Sequence, residues 1–378
     1  MTLAVTAMVR DEADIIRQWV EYHVAQGVDV IIVTDNASTD GTTEILQGFA
    51  DAGVLHLHHD PVHRKQQGAV VTAMAREAAT RHGADWVVNA DADEFLVPVD
   101  RSLRLADVFA ALDPAIAAFT VPVVNLVGPL AERGAGIDRL VWRDGRSNEQ
   151  LQQIGVLAQP TPNAVHVGDP EVTVAQGNHL VSIANAGEVP EPLALEVLHL
   201  PWRSWEQMRR KVESAGRGYE ANPDLRPSPN HHGMLDYARL TDGVLLPYVA
   251  ARHVTSDEAV AGPFVRDDTL PSFLAEHGLG TPAPDVPFDE EHARHLAAAG
   301  RRLVARDRDV ARLGLALEEE RRVADDRRRA AHDRAEALLR RQAELEAEVA
   351  RLTATADAFA NRRIVRTVDA VAARLRQR

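Results

Sequence analysis

Trp86-Val87-Val88-Asn89-Ala90-Asp91-Ala92-Asp93-Glu94-Phe95 is an apolar run that ends in two carboxylates one residue apart. A short apolar run of this kind, bounded by polar residues, reads as a buried strand. Carboxylates just past its end can share one hard divalent cation, and such a cation bridges to phosphate oxygens. An isolated Asp-x-Asp carries little, because most such pairs are solvated turn residues. Its place in the chain gives it weight.

Upstream, two periodicities alternate. Residues 3–9 read as a buried strand, and Ile15, Ile16, Trp19, Val20 and Val24 then recur at helical spacing. Residues 30–33 are a second strand, Ile45, Leu46 and Phe49 mark a short helix, residues 54–57 a third strand and residues 68–82 a third helix. This alternation predicts an α/β fold with a mostly parallel sheet wrapped by helices. Ligands of such sheets sit beyond the carboxyl ends of the strands. Three polar clusters fall there: Arg10-Asp11-Glu12, the run from Asp35 to Thr42, and Asp91 to Glu94. Spread over more than eighty positions, they are expected to converge on one rim.

On these residues the chain resembles the family 2-like glycosyltransferases of the GT-A fold, and among them a bacterial subgroup that opens with a Met-x-Arg-Asn-Glu-like segment. Here that segment is Met8-Val9-Arg10-Asp11-Glu12. The similarity continues through Trp19, Glu21-Tyr22-His23, Gly27, Asp35 to Thr42, Lys65-Gln66-Gln67-Gly68 and Asp91-Ala92-Asp93-Glu94-Phe95. It thins after residue 96 and returns at His199-Leu200-Pro201-Trp202-Arg203-Ser204, Gln207 and Lys211-Val212. Asp11 stands where the subgroup usually has Asn, and Val70 replaces a frequent aromatic.

The resemblance implies a transferase moving a sugar from a nucleotide-sugar donor to a glycan, lipid-linked or other hydroxyl acceptor, with inversion. It implies that Met8, Arg10, Asp11, Asp35, Asn36, Lys65, Asp91 and Arg203 surround the nucleotide-sugar. Asp91 and Asp93, with His199 as a third ligand, would hold Mn²⁺ or Mg²⁺ against the diphosphate, and Glu94 would orient them. The run from Asp35 to Thr42 also reads as an Asx-type turn capping the next helix, and the two readings are compatible. Arg203 and Lys211 are candidate partners of the departing diphosphate. An inverting reaction needs a carboxylate base. Glu149, Asp169, Glu171 and Glu206 are candidates that no spacing separates.

Composition bounds the alternatives. The 378 residues include no cysteine, which excludes a disulfide framework and thiol catalysis. A net charge of −14 disfavours nucleic acid as a partner. Nothing approaches the ~18 uninterrupted apolar residues of a membrane span, and strand one follows the N-terminus directly, so a cytoplasmic protein, peripheral at most on the inner membrane face, is expected. A nucleotidyltransferase would share the sheet but normally carries a Gly-rich basic loop after strand one, where this chain has Arg10-Asp11-Glu12. A non-catalytic scaffold would have no need of both Asp91 and Asp93.

The expected organisation is a catalytic domain over residues 1–260, with a nucleotide-binding half to residue 100 and an acceptor half beyond it. A Pro-rich linker over 261–288, a long helix over 289–360 and a basic amphipathic helix over 361–378 follow. Residues 115–127 contain a strand, 139–183 read as irregular and β-rich, and 204–219 as a helix. Gly177-Asn178-His179 is a candidate acceptor-side turn, and the Pro- and His-rich residues 222–233 read as a lid-like loop. From Leu296 to Phe359 an apolar residue returns every seven positions, one seam of a heptad pattern and a route to a homo-oligomer. Its companion seam is weakened by Arg327, Arg334 and Arg341, and Gly300 and Gly314 are expected to interrupt its beginning. In the last segment Ile364, Val368, Val371 and Leu375 share one face among six arginines and a single aspartate, a pattern suited to an anionic membrane surface.

Overall fold

The computed structural model describes residues 1–62, 66–220, 232–361 and 363–377. Residues 1–305 form one compact unit and 306–378 a second. The first begins with β1 (Leu3–Val9), α1 (Ile16–Ala25), β2 (Val30–Asp35), α2 (Thr42–Asp51), β3 (His56–His59), α3 (Gln67–His82), β4 (Trp86–Asn89) and β5 (Glu94–Pro98). It continues with α4 (Leu105–Ala111), β6 (Ala118–Val121), β7 (Val123–Val127), β8 (Ala131–Arg133), β9 (Trp142–Asp144), α5 (Asn148–Gln153), β10 (Asn163–Val167) and β11 (Leu195–His199). Then come α6 (Trp205–Glu220), α7 (His232–Thr241), α8 (Leu245–Arg252), α9 (Ser256–Ala261), β12 (Phe264–Arg266), α10 (Thr269–Glu276) and β13 (Val286–Pro287).

The expected α/β arrangement, with a mostly parallel sheet flanked by helices, is present. The main sheet runs β3-β2-β1-β4-β10-β6, with its first four strands parallel and β10 antiparallel to both neighbours. Side chains alternate faces along β1. Leu3, Val5, Ala7 and Val9 enter the larger core beside Trp19 of α1, while Ala4 packs with Ile32, Val87 and the Val71 and Met74 face of α3. Burial on both faces is why these strands read as continuous apolar runs.

A second sheet, β12-β9-β7-β11-β5, carries the segment after the carboxylate pair. Two aromatics of α1 fasten β5: Trp19 Nε1 donates to Glu94 O at 3.0 Å and Tyr22 Oη to Leu96 O at 2.8 Å. The motif residues of α1 are thus positioning groups for the rim.

Several expectations are corrected. The third strand lies two residues later than 54–57, because His56–His59 is a half-exposed edge strand with no apolar run. Residues 115–127 hold two strands in different sheets, separated by Pro122. Residues 261–288 are not a linker. Leu270 and Leu274 of α10 are buried in the main core, and β12 and β13 pair with β9 and β8. Pro271 falls in the first turn of α10, where its missing N–H costs no helical bond, and Pro287 lies in a two-stranded sheet. The lid-like loop falls almost wholly outside the described residues.

α11 spans Glu290–Ala360 without interruption at Gly300 or Gly314. Ala297, Gly300 and Val304 are its buried residues. At Gly300 a Cβ would stand 1.9 Å from Pro247 O, so only glycine permits that approach. In the second unit the remainder of α11 and α12 (Arg363–Arg376) are solvent-facing almost throughout. No helix among the described residues is long and apolar enough to cross a membrane.

Candidate active site

A cavity of about 270 Å³ opens at the carboxyl ends of β1, β2 and β4, with α6 as its other wall. The rim supplies Met8 to Glu12, Asn36 and Asp91 to Asp93, and α6 supplies Gln207, Arg210, Lys211, Ser214 and Gly218. The α6 positions recur at three- and four-residue steps, so a single helix face lines the cavity.

β1 ends in a turn that needs an unusual backbone. Asp11 has φ of 55°, in the left-handed region that Asn and Asp tolerate best. That tolerance accounts for Asp standing where the resembling subgroup has Asn. Its N–H donates to Ser38 Oγ at 2.9 Å, and its carboxylate accepts from Thr39 N at 2.7 Å, tying the first rim loop to the second.

The third part arrives through strand pairing. β11 is antiparallel to β5 with His199 opposite Glu94, and Leu200 N donates to Asp93 O at 2.9 Å. His199 Nε2 therefore lies 3.7 Å from Asp93 Oδ1, while its Nδ1 lies 2.9 Å from Asn125 Oδ1. α6 follows directly and brings Lys211 Nζ to 2.8 Å from Asp93 Oδ2.

Arg203, with no exposed side-chain surface, stands among three carboxylates. It forks onto Asp14 at 2.9 and 3.0 Å, pairs with Glu12, and stands 3.6 Å from Asp93. A buried guanidinium is tolerable because its charge is matched and hydrogen-bonded. Burial opposes the charge on Asp93, but Lys211 and His199 hold its carboxyl well below the usual range. Burial lifts Glu12 to about 7 against the pull of Arg203. Burial and Asp91 lift Glu94 likewise to about 7. Asp91 is raised by burial and by Asp93. The two carboxylates of the pair are thus driven apart in acidity.

Asp91 is held by amides. Its Oδ1 accepts from Gln67 Nε2 at 2.9 Å and Asn178 Nδ2 at 3.2 Å. Asn163 donates to Glu94 at 2.8 Å and accepts at 3.0 Å from the His179 ring. The 177–179 turn, expected on the acceptor side, is therefore bonded into the carboxylate cluster itself.

Of the residues expected around the nucleotide-sugar, Met8, Arg10, Asp11, Asn36 and Asp91 line the cavity. Asp35 and Arg203 do not. The Asp35 carboxylate accepts from Ser38 N at 3.1 Å and Thr43 Oγ1 at 2.6 Å, which is the Asx-type turn. Asn36 lines the cavity but spends its amide on Asp60 O and Val62 O at 3.1 and 2.9 Å. Lys65 lies outside the described residues. None of the four base candidates lines the cavity. Glu149, Glu171 and Glu206 are exposed, and Asp169 accepts from Glu171 N at 2.7 Å in a turn after β10.

Sequence reasoning gave Gln67 a place at a helix entry with substrate contacts and Asn178 a place in an acceptor-side turn, where both bind Asp91, and it left Gln207 and Arg210 without an assigned contact. Gln207 stands out: it is 3 % exposed, and neither its amide nitrogen nor its oxygen has a hydrogen-bond partner. Its position one turn before Lys211 on the same helix face is the signal that would have found it.

The donor types of Asp91, Asp93 and His199 suit a hard divalent cation, but their arrangement here does not fit one. Lys211 and Arg203 face one oxygen of Asp93, and among the described residues no three His, Asp or Glu side chains converge as ligands.

Residues 1–115 match the sequence model of glycosyltransferase family 92. The match supports glycosyl transfer as the chemistry of this region; the family named is 92, where the motifs resemble family 2. No curated protein matches the chain. Among solved structures, S. aureus TarS is 13% identical over 69% of this chain and 45% of its own, with a TM-score of 0.31. This chain thus spans less than half the length of TarS. TarS 1–349 in complex with UDP-GlcNAc is 10% identical over 77% of this chain and all of its own, with a TM-score of 0.32. Glucosyl-3-phosphoglycerate synthase from Mycobacterium tuberculosis, in complex with Mn²⁺, UDP and glucosyl-3-phosphoglycerate, is 20% identical over 44% and 56% of the two chains, with a TM-score of 0.25.

Proposed function

We propose that this cavity binds a nucleotide diphospho-sugar and transfers its sugar to a hydroxyl of a glycan, lipid-linked or other acceptor. The observation that carries the reading is a single helix face bearing Gln207, Arg210 and Lys211 opposite the Asp91–Asp93 rim. Negative charge grows on the leaving diphosphate as the glycosidic bond breaks, and fixed cations at the place where charge develops lower that barrier. Lys211 and Arg210 are those cations. Asp93 and the Arg203 cluster beneath it hold Lys211 in place, and Asp40, 3.8 Å from Arg210, orients the second. The buried carboxamide of Gln207 offers both a donor and an acceptor to phosphate or sugar hydroxyls.

Inversion is what the family 2-like resemblance implies, with the acceptor hydroxyl attacking opposite the diphosphate and a carboxylate taking its proton. The same resemblance supplies the expectation of Mn²⁺ or Mg²⁺ at Asp91, Asp93 and His199. Binding there would require Lys211 to leave Asp93. α12 supports peripheral contact with an anionic membrane, since Ile364, Val368, Val371 and Leu375 are all exposed between its arginines. Such contact would suit a lipid-linked acceptor.

A thermal-shift panel of UDP-, GDP-, CMP- and dTDP-sugars, each with Mn²⁺ or with chelator, tests the reading. One nucleotide class is expected to raise Tm in the wild type and not in Lys211→Ala. No shift with any of them would refute a nucleotide-sugar site. Chelator arms report the cation requirement independently.

A further inference from the structure

We propose that residues 335–359 pair with a second copy of this chain as a parallel, in-register, two-stranded coiled coil. Leu338, Leu345 and Leu352 are 66%, 50% and 53% exposed, and nothing among the described residues covers them. With Phe359 they recur every seven residues and take the d positions of a heptad. The matching a positions fall four residues after each d and hold Gln342 and Val349, flanked by Ala335 and Ala356. The companion seam thus lies one residue beyond Arg334 and Arg341, which become flanking g positions.

Three observations identify the occupant as the same segment of another copy. First, Arg341 at g faces position 346 of the partner, the e site of the following heptad, and the residue there is Glu346. Each dimer forms this attraction twice by symmetry. Second, Gln342 is the polar a residue. In register it meets its own counterpart, and each carboxamide can donate to and accept from the other. In an antiparallel pairing it would face a leucine, and in one shifted by a heptad Val349 or Ala335, and in either it would lose those bonds. Third, the seam has a defined upstream limit: Arg321 and Arg328 take a positions there, and two facing guanidiniums repel. Pairing is therefore confined to three and a half heptads near the end of α11, and its strength depends on protein concentration.

Because the chain has no cysteine, orientation can be read directly. In Leu352→Cys, a parallel register brings the two introduced thiols together at a d layer, and mild oxidation is expected to give a covalent dimer. An antiparallel register places them far apart. Sedimentation of the full-length protein is expected to show a monomer–dimer equilibrium at micromolar concentrations. It should be shifted to monomer in Leu345→Lys/Leu352→Lys, and weakened about ten-fold in Arg341→Glu. Arg341→Glu/Glu346→Arg should recover the wild-type constant, because the attraction is re-formed with its sign exchanged. These substitutions are on an exposed helix face, and unchanged circular dichroism would show that the helix persists. A wild-type monomer at tens of micromolar would overturn the proposal. So would a dimer indifferent to the two lysine substitutions, or one that gives no disulfide through Leu352→Cys.

Discussion

The cavity wall and the distal half of α11 invert the usual rule of burial in opposite directions. In the first unit, Asp93, Glu94 and Arg203 are nearly or wholly withdrawn from solvent. In the second, leucines stand half or more exposed along one seam. A buried charge persists only where partners are fixed around it, so the first anomaly marks a preorganised site. An exposed apolar stripe persists where a surface is available to cover it, so the second marks an interface. The same physical test, asking what each group would lose by standing alone, assigns chemistry to one region and association to the other.

The contrast breaks most severely at Arg203. Arg203→Met removes the one cation shared by Glu12, Asp14 and Asp93 and should cost about 3–5 kcal/mol of stability, read by denaturant unfolding. Leu338→Gln on the arm should leave unfolding of the first unit unchanged. Next in size, Asp93→Asn should lower kcat for sugar transfer by about 10²–10³-fold and lower Tm by less than Arg203→Met does, since it keeps the shape but removes the charge that positions Lys211. Equal stability loss and activity loss would mean that Asp93 is only structural.

Acid sensitivity sharpens the comparison through a different group. His23 is fully buried, and burial lowers it to about 4. Below its unfolded pKa of ~6.5 the unfolded chain binds a proton that the folded one refuses, so stability falls as pH drops from 6.5 toward 4. The slope is about 1.4 kcal/mol per pH unit for this histidine, and His23→Phe should flatten the acid limb of a Tm–pH curve by that amount. Smaller again, Gln207→Ala should raise KM for the donor by about ten-fold, the equivalent of one hydrogen bond to a charged group, with kcat nearly retained. At the lower end, Gln substitutions at Glu149, Glu171 and Glu206 should leave kcat within about two-fold, because all three side chains are exposed and outside the cavity.

The nucleotide-side half was legible because its strands are buried on both faces and its helices on one, so each announces its period. Asp91, Asp93 and His199 were legible because each stands at or just past the end of a strand, and Lys211 because it belongs to the motif segment that follows His199. The middle was not, since β8, β9 and β12 are three residues long and too short to show alternation. β12 finds its partner β9 only across more than 110 intervening residues. Prolines misled at 261–288 because they mark element starts and edges as often as gaps. Arg203 was assigned to the ligand on the resemblance and on its charge. Its capture by Glu12 and Asp14, some 190 residues earlier, is a tertiary fact with no local signal.

The pairing of β5 with β11 bears on how the protein is made. β5 is an edge strand whose one ladder partner among the described residues begins at Leu195. A nascent chain must therefore extend about a hundred residues past Glu94 before that edge is covered. During this interval the strand presents open backbone groups, and the acidic pair beside it still lacks its imidazole and ammonium neighbours. Truncations ending before residue 195 should accumulate as insoluble material. A chain released only after residue 220 would carry the strand, the cations and the carboxylates together.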